Sequence, residues 1–116
     1  MTSKGSEKYN IAWFKLAECV SRGDKERALG VYRLLSHSLT SEALRAQLEG
    51  DIWLSFGELA NAITHYRDAA HKYRINNQLL EAASIFQHLR LLDPATTFYK
   101  TAAQELYQQL GLTFYE

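Results

Sequence analysis

The side chains that could do chemistry in this 116-residue chain are few and scattered. One cysteine, Cys19, falls beside an apolar helical stripe, where a thiol behaves as a small, inert hydrophobe. It has no partner for an internal disulfide, and a reducing compartment is the simpler expectation. His65 and Asp68 stand at i and i+3 and could hold a metal, but a solvated polar face explains them without one. His71 lies six residues beyond His65, close to the opposite side of a helix, so the two do not chelate together. There is no glycine-rich phosphate loop. Arg67, His71 and Arg74 fall at i, i+4 and i+7, one helical face, with Lys72, His88, Arg90 and Lys100 nearby in sequence. Such a face could meet phosphates or an acidic peptide. With 13 Lys+Arg against 13 Asp+Glu, it reads first as a solvated surface. Glu42, Glu49, Asp51 and Glu58 make the helix before it acidic, an offset that suits protein recognition better than nucleic acid. No catalytic residue, metal or cofactor is expected.

The elements that carry these residues are helices. Ala and Leu supply 31 residues, while Val and Ile together supply seven. Straight-chain residues and Ala lose little entropy in a helix, and β-branched ones lose more. Tyr9, Trp13, Leu16, Ala17 and Val20 share one helical face. Gly23 breaks that helix, and Asp24 caps a second one carrying Ala28, Val31, Tyr32 and Leu35. After a hydroxyl-rich loop, Thr40 or Ser41 caps a third, with Ala43, Ala46, Gly50 and Trp53. A fourth carries Leu59, Ala62, Ile63, Tyr66, Ala69, Ala70 and Tyr73, up to Asn76-Asn77. A fifth carries Leu79, Ala82, Ala83, Phe86 and Leu89. Asp93 is expected to cap a sixth with Pro94 in its first position, followed by Phe98, Tyr99, Ala102, Ala103 and Leu106 and stopped near Gly111. No apolar run approaches a membrane span, and the polar start MTSKGSEKYN does not resemble a secretory leader. A cytoplasmic protein is the expectation.

The helices repeat. Trp13, Ala46 and Leu79 are spaced by 33, as are Ala17, Gly50 and Ala83, and Val20, Trp53 and Phe86. In the alternate helices Gly23 and Gly57, Ala28 and Ala62, and Tyr32 and Tyr66 differ by 34. A small residue lets the second helix of a pair approach, and the aromatic one turn later fills the groove beside it. Three such pairs can share a core that one pair cannot bury alone. The units are read as residues 8–39, 41–75 and 77–110, with a tail over 111–116, in a single domain.

The middle unit, from Ala46 through Gly50, Trp53, Gly57, Ala62, Tyr66 and Ala69, resembles the tetratricopeptide repeat. The first unit matches through Trp13, Leu16, Ala17, Val20, Gly23, Ala28 and Tyr32, and the third through Leu79, Ala82, Ala83 and Phe86. Glu49 stands where the family prefers leucine, and Phe98 or Tyr99 where it prefers a small alanine. The stretch from Tyr66 to Tyr73 is similar, more weakly, to the helical hairpins of vesicle-fusion adaptors. The resemblance implies an all-α, right-handed array of antiparallel helical hairpins, about six helices, whose first helices line a concave groove. The groove positions are then Phe14, Glu18 and Ser21, Gln47, Asp51 and Leu54, and Leu80, Ser84 and Gln87. Some members clamp a C-terminal carboxylate with basic and amide side chains where this chain has Phe14, Glu18, Leu80 and Ser84. The clamp is absent, so acidic chaperone tails are not implied as ligands.

The expected function is therefore a non-catalytic adaptor or co-chaperone that takes a protein or peptide segment in its groove, binding no nucleic acid and inserting into no membrane. Gln47 and Asp51 read as surface positions whose replacement should leave the fold intact. The alternative is self-association. Helix six breaks the pattern where an array needs a polar cap, and Tyr107, Leu110, Phe114 and Tyr115 have no obvious cover. A weak homodimer through helix six and the tail is the expectation there.

Overall fold

In the computed structural model the backbone is described for residues 4–115 and the side chains for residues 13–115. Tyr9, the polar leader and Glu116 thus contribute nothing further to the side-chain account. Every regular element described is a helix: α1 (Lys4–Ser21), α2 (Lys25–Ser36), α3 (Glu42–Ser55), α4 (Leu59–Ile75), α5 (Leu79–Leu92) and α6 (Phe98–Leu110). Helices adjacent in sequence pack on one another, closely from α3 through α6 and for α1 on α2, sparsely for α2 on α3.

The helix ends follow local chemistry. Asp24 accepts the Arg27 amide at 3.2 Å and Ser41 accepts the Leu44 amide at 3.1 Å, each relieving an orphan donor of the first turn. Four helices end alike. Gly23, Gly57, Asn77 and Gly111 adopt φ of 72°, 74°, 60° and 71° after α1, α3, α4 and α6. The next amide in each case bonds back to the carbonyl five residues before it: Asp24 to Cys19, Glu58 to Trp53, Gln78 to Tyr73 and Leu112 to Tyr107. This closure satisfies carbonyls that the helix leaves free.

The start of α6 differs from the sequence expectation. Asp93 and Pro94 form a turn instead of the first helical positions. The Thr96 amide bonds the Asp93 carbonyl at 3.3 Å, and the Thr96 hydroxyl donates to Asp93 Oδ2 at 2.7 Å. Asp93 sits at φ −138°, ψ 73°, outside the helical region, as the ring of a following proline favours. The helix begins four residues later, at Phe98 after Thr97.

The core is divided. The larger part joins Ala43 and Ala46 of α3, Ala62, Tyr66, Ala69 and Tyr73 of α4, Ala82, Ala83, Phe86 and Leu89 of α5, and Tyr99, Ala103 and Leu106 of α6. The smaller part joins Leu16 and Cys19 of α1, Ala28, Tyr32 and Leu35 of α2, and a single buried side chain of α3, Ile52. The small-residue series is thus only partly buried. Gly50 and Ala83 are inside, whereas Ala17 is exposed, because α3 does not close over that side of α1.

Candidate functional site

The residues expected to line a groove lie on the odd-numbered helices. On α3 their role is set by two long side chains of α4. The Tyr73 hydroxyl donates to Gln47 Oε1 at 2.7 Å, and the Tyr66 hydroxyl donates to Asp51 Oδ1 in a very short bond. Both rings are buried, and a buried hydroxyl without a partner is costly. Gln47 and Asp51 are therefore supports of the α3–α4 pair as well as surface groups, which corrects the expectation that their replacement leaves the fold intact. The signal was missed because Tyr73 lies 26 residues from Gln47, with no helical register joining them. Burial, then the bond to Asp51 and its charge, hold the Tyr66 phenol well above its ordinary value of 10.0. Burial, then the charges of Glu81 and Asp51, raise Tyr73. Burial, then the nearby charge of Glu49, raises Tyr32, whose hydroxyl donates to the Arg45 carbonyl at 2.7 Å.

The other groove positions divide between surface and core. Phe14 is 77% exposed and Leu80 is 58% exposed, large apolar groups held in solvent on α1 and α5. Glu18 pairs with Arg22 at 2.6 Å, Ser84 is exposed, and Gln87 accepts from Arg90 Nη1 at 3.3 Å. Leu54 is half-buried and packs against the larger core. Among the described residues no hydrogen bond or ion pair joins the α1, α3 and α5 sets to one another.

What α1 and α3 do share is a slot of about 340 Å³. Trp13, Leu16, Ala17 and Val20 form one wall, Leu48 and Ile52 the other, and Ser21, Asp51 and Ser55 stand along its rim. The exposed Ala17 faces into it, which explains why a small apolar residue at that position remains uncovered. No family model, no curated protein and no solved structure matches this chain.

Other residues singled out by sequence have ordinary partners. His65 Nδ1 lies 2.9 Å from Glu49 Oε2 and its ring stacks on Trp53. Trp53 also receives Lys25 at 5.6 Å from its ring centre, and Lys25 bonds Glu58 at 3.0 Å. Glu49 thus links α3 to α4 through His65. Asp68 bonds Lys72 at 2.9 Å, which draws it away from His65. Among the described residues no group of three or more His, Cys, Asp or Glu is placed to hold a metal. No described helix is long and apolar enough to cross a membrane.

At the C-terminal end, Tyr107 and Phe114 are half-buried and meet edge to face at 5.3 Å, with Arg90 over Phe114 at 5.3 Å. The tail folds back over α6, and these two aromatics cover each other. Leu110 is half-buried, and Leu112 and Tyr115 remain exposed.

Proposed function

We propose that the chain is a non-catalytic interaction module, a tetratricopeptide-like stack of three helical hairpins that binds a peptide or helical segment along its odd-numbered helices. The observation that carries this reading is the open apolar slot between α1 and α3. An uncovered apolar concavity with a polar rim is the usual form of a docking site. The repeat reading draws support from equivalent residues sharing environments. Ala28 and Ala62 are fully buried, Tyr32 and Tyr66 nearly so, and Gly23 and Gly57 take the same left-handed turn. Asp51 on the rim favours a segment that places a cation beside its apolar side chains.

The test is selection of a random-peptide display library on the purified chain. Sequences with apolar anchors should be enriched, and Ala17→Trp, which fills the slot from an exposed position, should weaken their binding at least tenfold with an unchanged melt. Binding indifferent to Ala17→Trp would place the ligand elsewhere. A second reading, self-association through α6 and the tail, rests on Leu112 and Tyr115, 48% and 80% exposed. It requires a dimer that grows with concentration in sedimentation and is lost in Leu110→Asp. A monomer at all concentrations ends it.

A further inference from the structure

The two faces of the molecule differ in chemistry, and the even-numbered helices hold a second concavity, of about 380 Å³, between α4 and α6 over α5. Its floor is Phe86, its α6 wall is Phe98 and Tyr99, and its α4 wall presents Arg67, His71 and Arg74. Phe98 is 57% exposed although its ring meets Phe86 edge-on at 5.9 Å, so an aromatic surface stands open beside the α4 wall. Arg74 is fixed in place, its guanidinium 5.9 Å from the Phe86 ring centre and 3.8 Å from Glu105 Oε2. Arg67 and His71 are exposed and, among the described residues, engage no acceptor. Asp68, the acidic group on the same wall, is paired with Lys72 at 2.9 Å, which Glu42 also approaches at 4.0 Å. The cleft thus sets the unpaired guanidinium of Arg67, the His71 imidazole and the Glu105-paired Arg74 around an apolar centre.

We propose that this cleft binds an acidic peptide segment in which two carboxylates flank an aromatic side chain. Residues 67 and 74 lie two helical turns apart, about 10.5 Å along the axis at 1.5 Å per residue. In a polyproline-II segment, with three residues per turn and a rise of about 3.1 Å, carboxylates three residues apart share a face about 9 Å apart, so one reaches Arg67 while the other reaches Arg74. The aromatic residue between them projects about a third of a turn to the side, away from α4, into the space over Phe86 and beside Phe98. A guanidinium–carboxylate contact is among the stronger polar contacts, and Arg over aromatic rings adds to it. A nucleic acid fits less well, because the chain carries no net positive charge and the cleft is a pocket for one side chain, not a track. This surface is independent of the slot between α1 and α3.

The experiment measures fluorescence anisotropy of a labelled peptide with two glutamates three positions apart and a phenylalanine between them, glycine and serine elsewhere. Saturable binding is expected, weakened about tenfold by Arg67→Glu, a loss of about 1.4 kcal/mol. Phe98→Ala should weaken it similarly, Ala17→Trp should not, and the peptide with glutamines for glutamates should fail to bind. Arg67→Glu should melt as the wild type, since Arg67 supports nothing. Equal binding by the glutamine peptide, wild-type affinity in Arg67→Glu, or no binding at millimolar peptide would each overturn the proposal. So would displacement of the peptide by oligothymidine at lower concentration than by unlabelled peptide, which would make the site one for nucleic acid.

Discussion

At Gly50 the spacing of two helices is set by a missing methyl group. A Cβ there would lie 2.7 Å and 2.8 Å from Cε1 and Cδ1 of Tyr66. The ring cannot step aside, because it is buried and its hydroxyl is held by Asp51. Gly50→Leu should destabilise by about 1–3 kcal/mol or more through overpacking, and even Gly50→Ala should melt several degrees lower. An unchanged melt for Gly50→Leu would mean that the two helices can part freely. The same tyrosine makes a pH prediction. Its phenol is raised above 10.0 in the fold, so its neutral form is the one the fold prefers. That stability is complete below the unfolded value and is lost as pH rises past it toward the folded value. The melting temperature should therefore fall beyond about pH 10, with tyrosinate absorbance appearing together with unfolding. In Tyr66→Phe the fall should be shallower. An equal slope in that variant would assign the alkaline loss to other groups. Gly50 was legible as a packing residue from its spacing with Ala17 and Ala83, although Ala17 itself is exposed. The tyrosine hydroxyls were not, since a polar tip on a buried ring gives no periodic signal, and its partners on α3 therefore looked like free surface.

The helices themselves were largely legible because their ends obey short-range rules. Ser41, Asp24, Gly23 and Gly57 act where a chain read residue by residue places them. The start of α6 was not, because Asp93-Pro94 satisfies two sets of local rules equally well, a helix start and a tight turn. The Thr96 hydroxyl decides in favour of the turn by bonding the Asp93 carboxylate. Asn77 is the clearest element-scale test. It is the one non-glycine residue with positive φ among those described, and it closes α4 through the Gln78 amide at 2.8 Å from the Tyr73 carbonyl. A β-branched side chain resists that conformation at a cost of about 1–2 kcal/mol. Asn77→Val should lower the urea midpoint accordingly, while Asn77→Gly should not lower it. Equal midpoints for all three proteins would show that the α4–α5 turn relaxes to another closure.

The molecule as a whole is longer than a compact chain of its size. Its radius of gyration is 15.8 Å, against about 13.4 Å expected for a globule of this length. The extension has a structural origin in the divided core. The ties between the hairpin of α1 and α2 and the rest include Ile52 with Leu48 and Phe56 beside it, the Tyr32 hydroxyl on the Arg45 carbonyl, Arg45 on the Leu39 carbonyl, and Lys25 on Glu58 and over Trp53. Lys25 and Glu58 are partly exposed, so their pair contributes little, and Ile52 is the buried side chain that α3 gives to this smaller core. Sparse interfaces of this kind open before the rest of a chain unfolds. The same sparseness leaves the slot between α1 and α3 uncovered, so the proposed docking site and the weakest seam coincide. Ile52→Ala should cost about 2–5 kcal/mol if the cavity stays open, and the loss should be confined to one end. Hydrogen exchange read by mass spectrometry should show α1 and α2 exchanging faster in this variant while α4 and α5 keep their protection. Loss of protection in all six helices together would mean that the two cores fold as one cooperative unit and that the seam is no hinge. A ligand bound in the slot touches both sides of the seam, so it should restore the protection of α1 in proportion to its concentration.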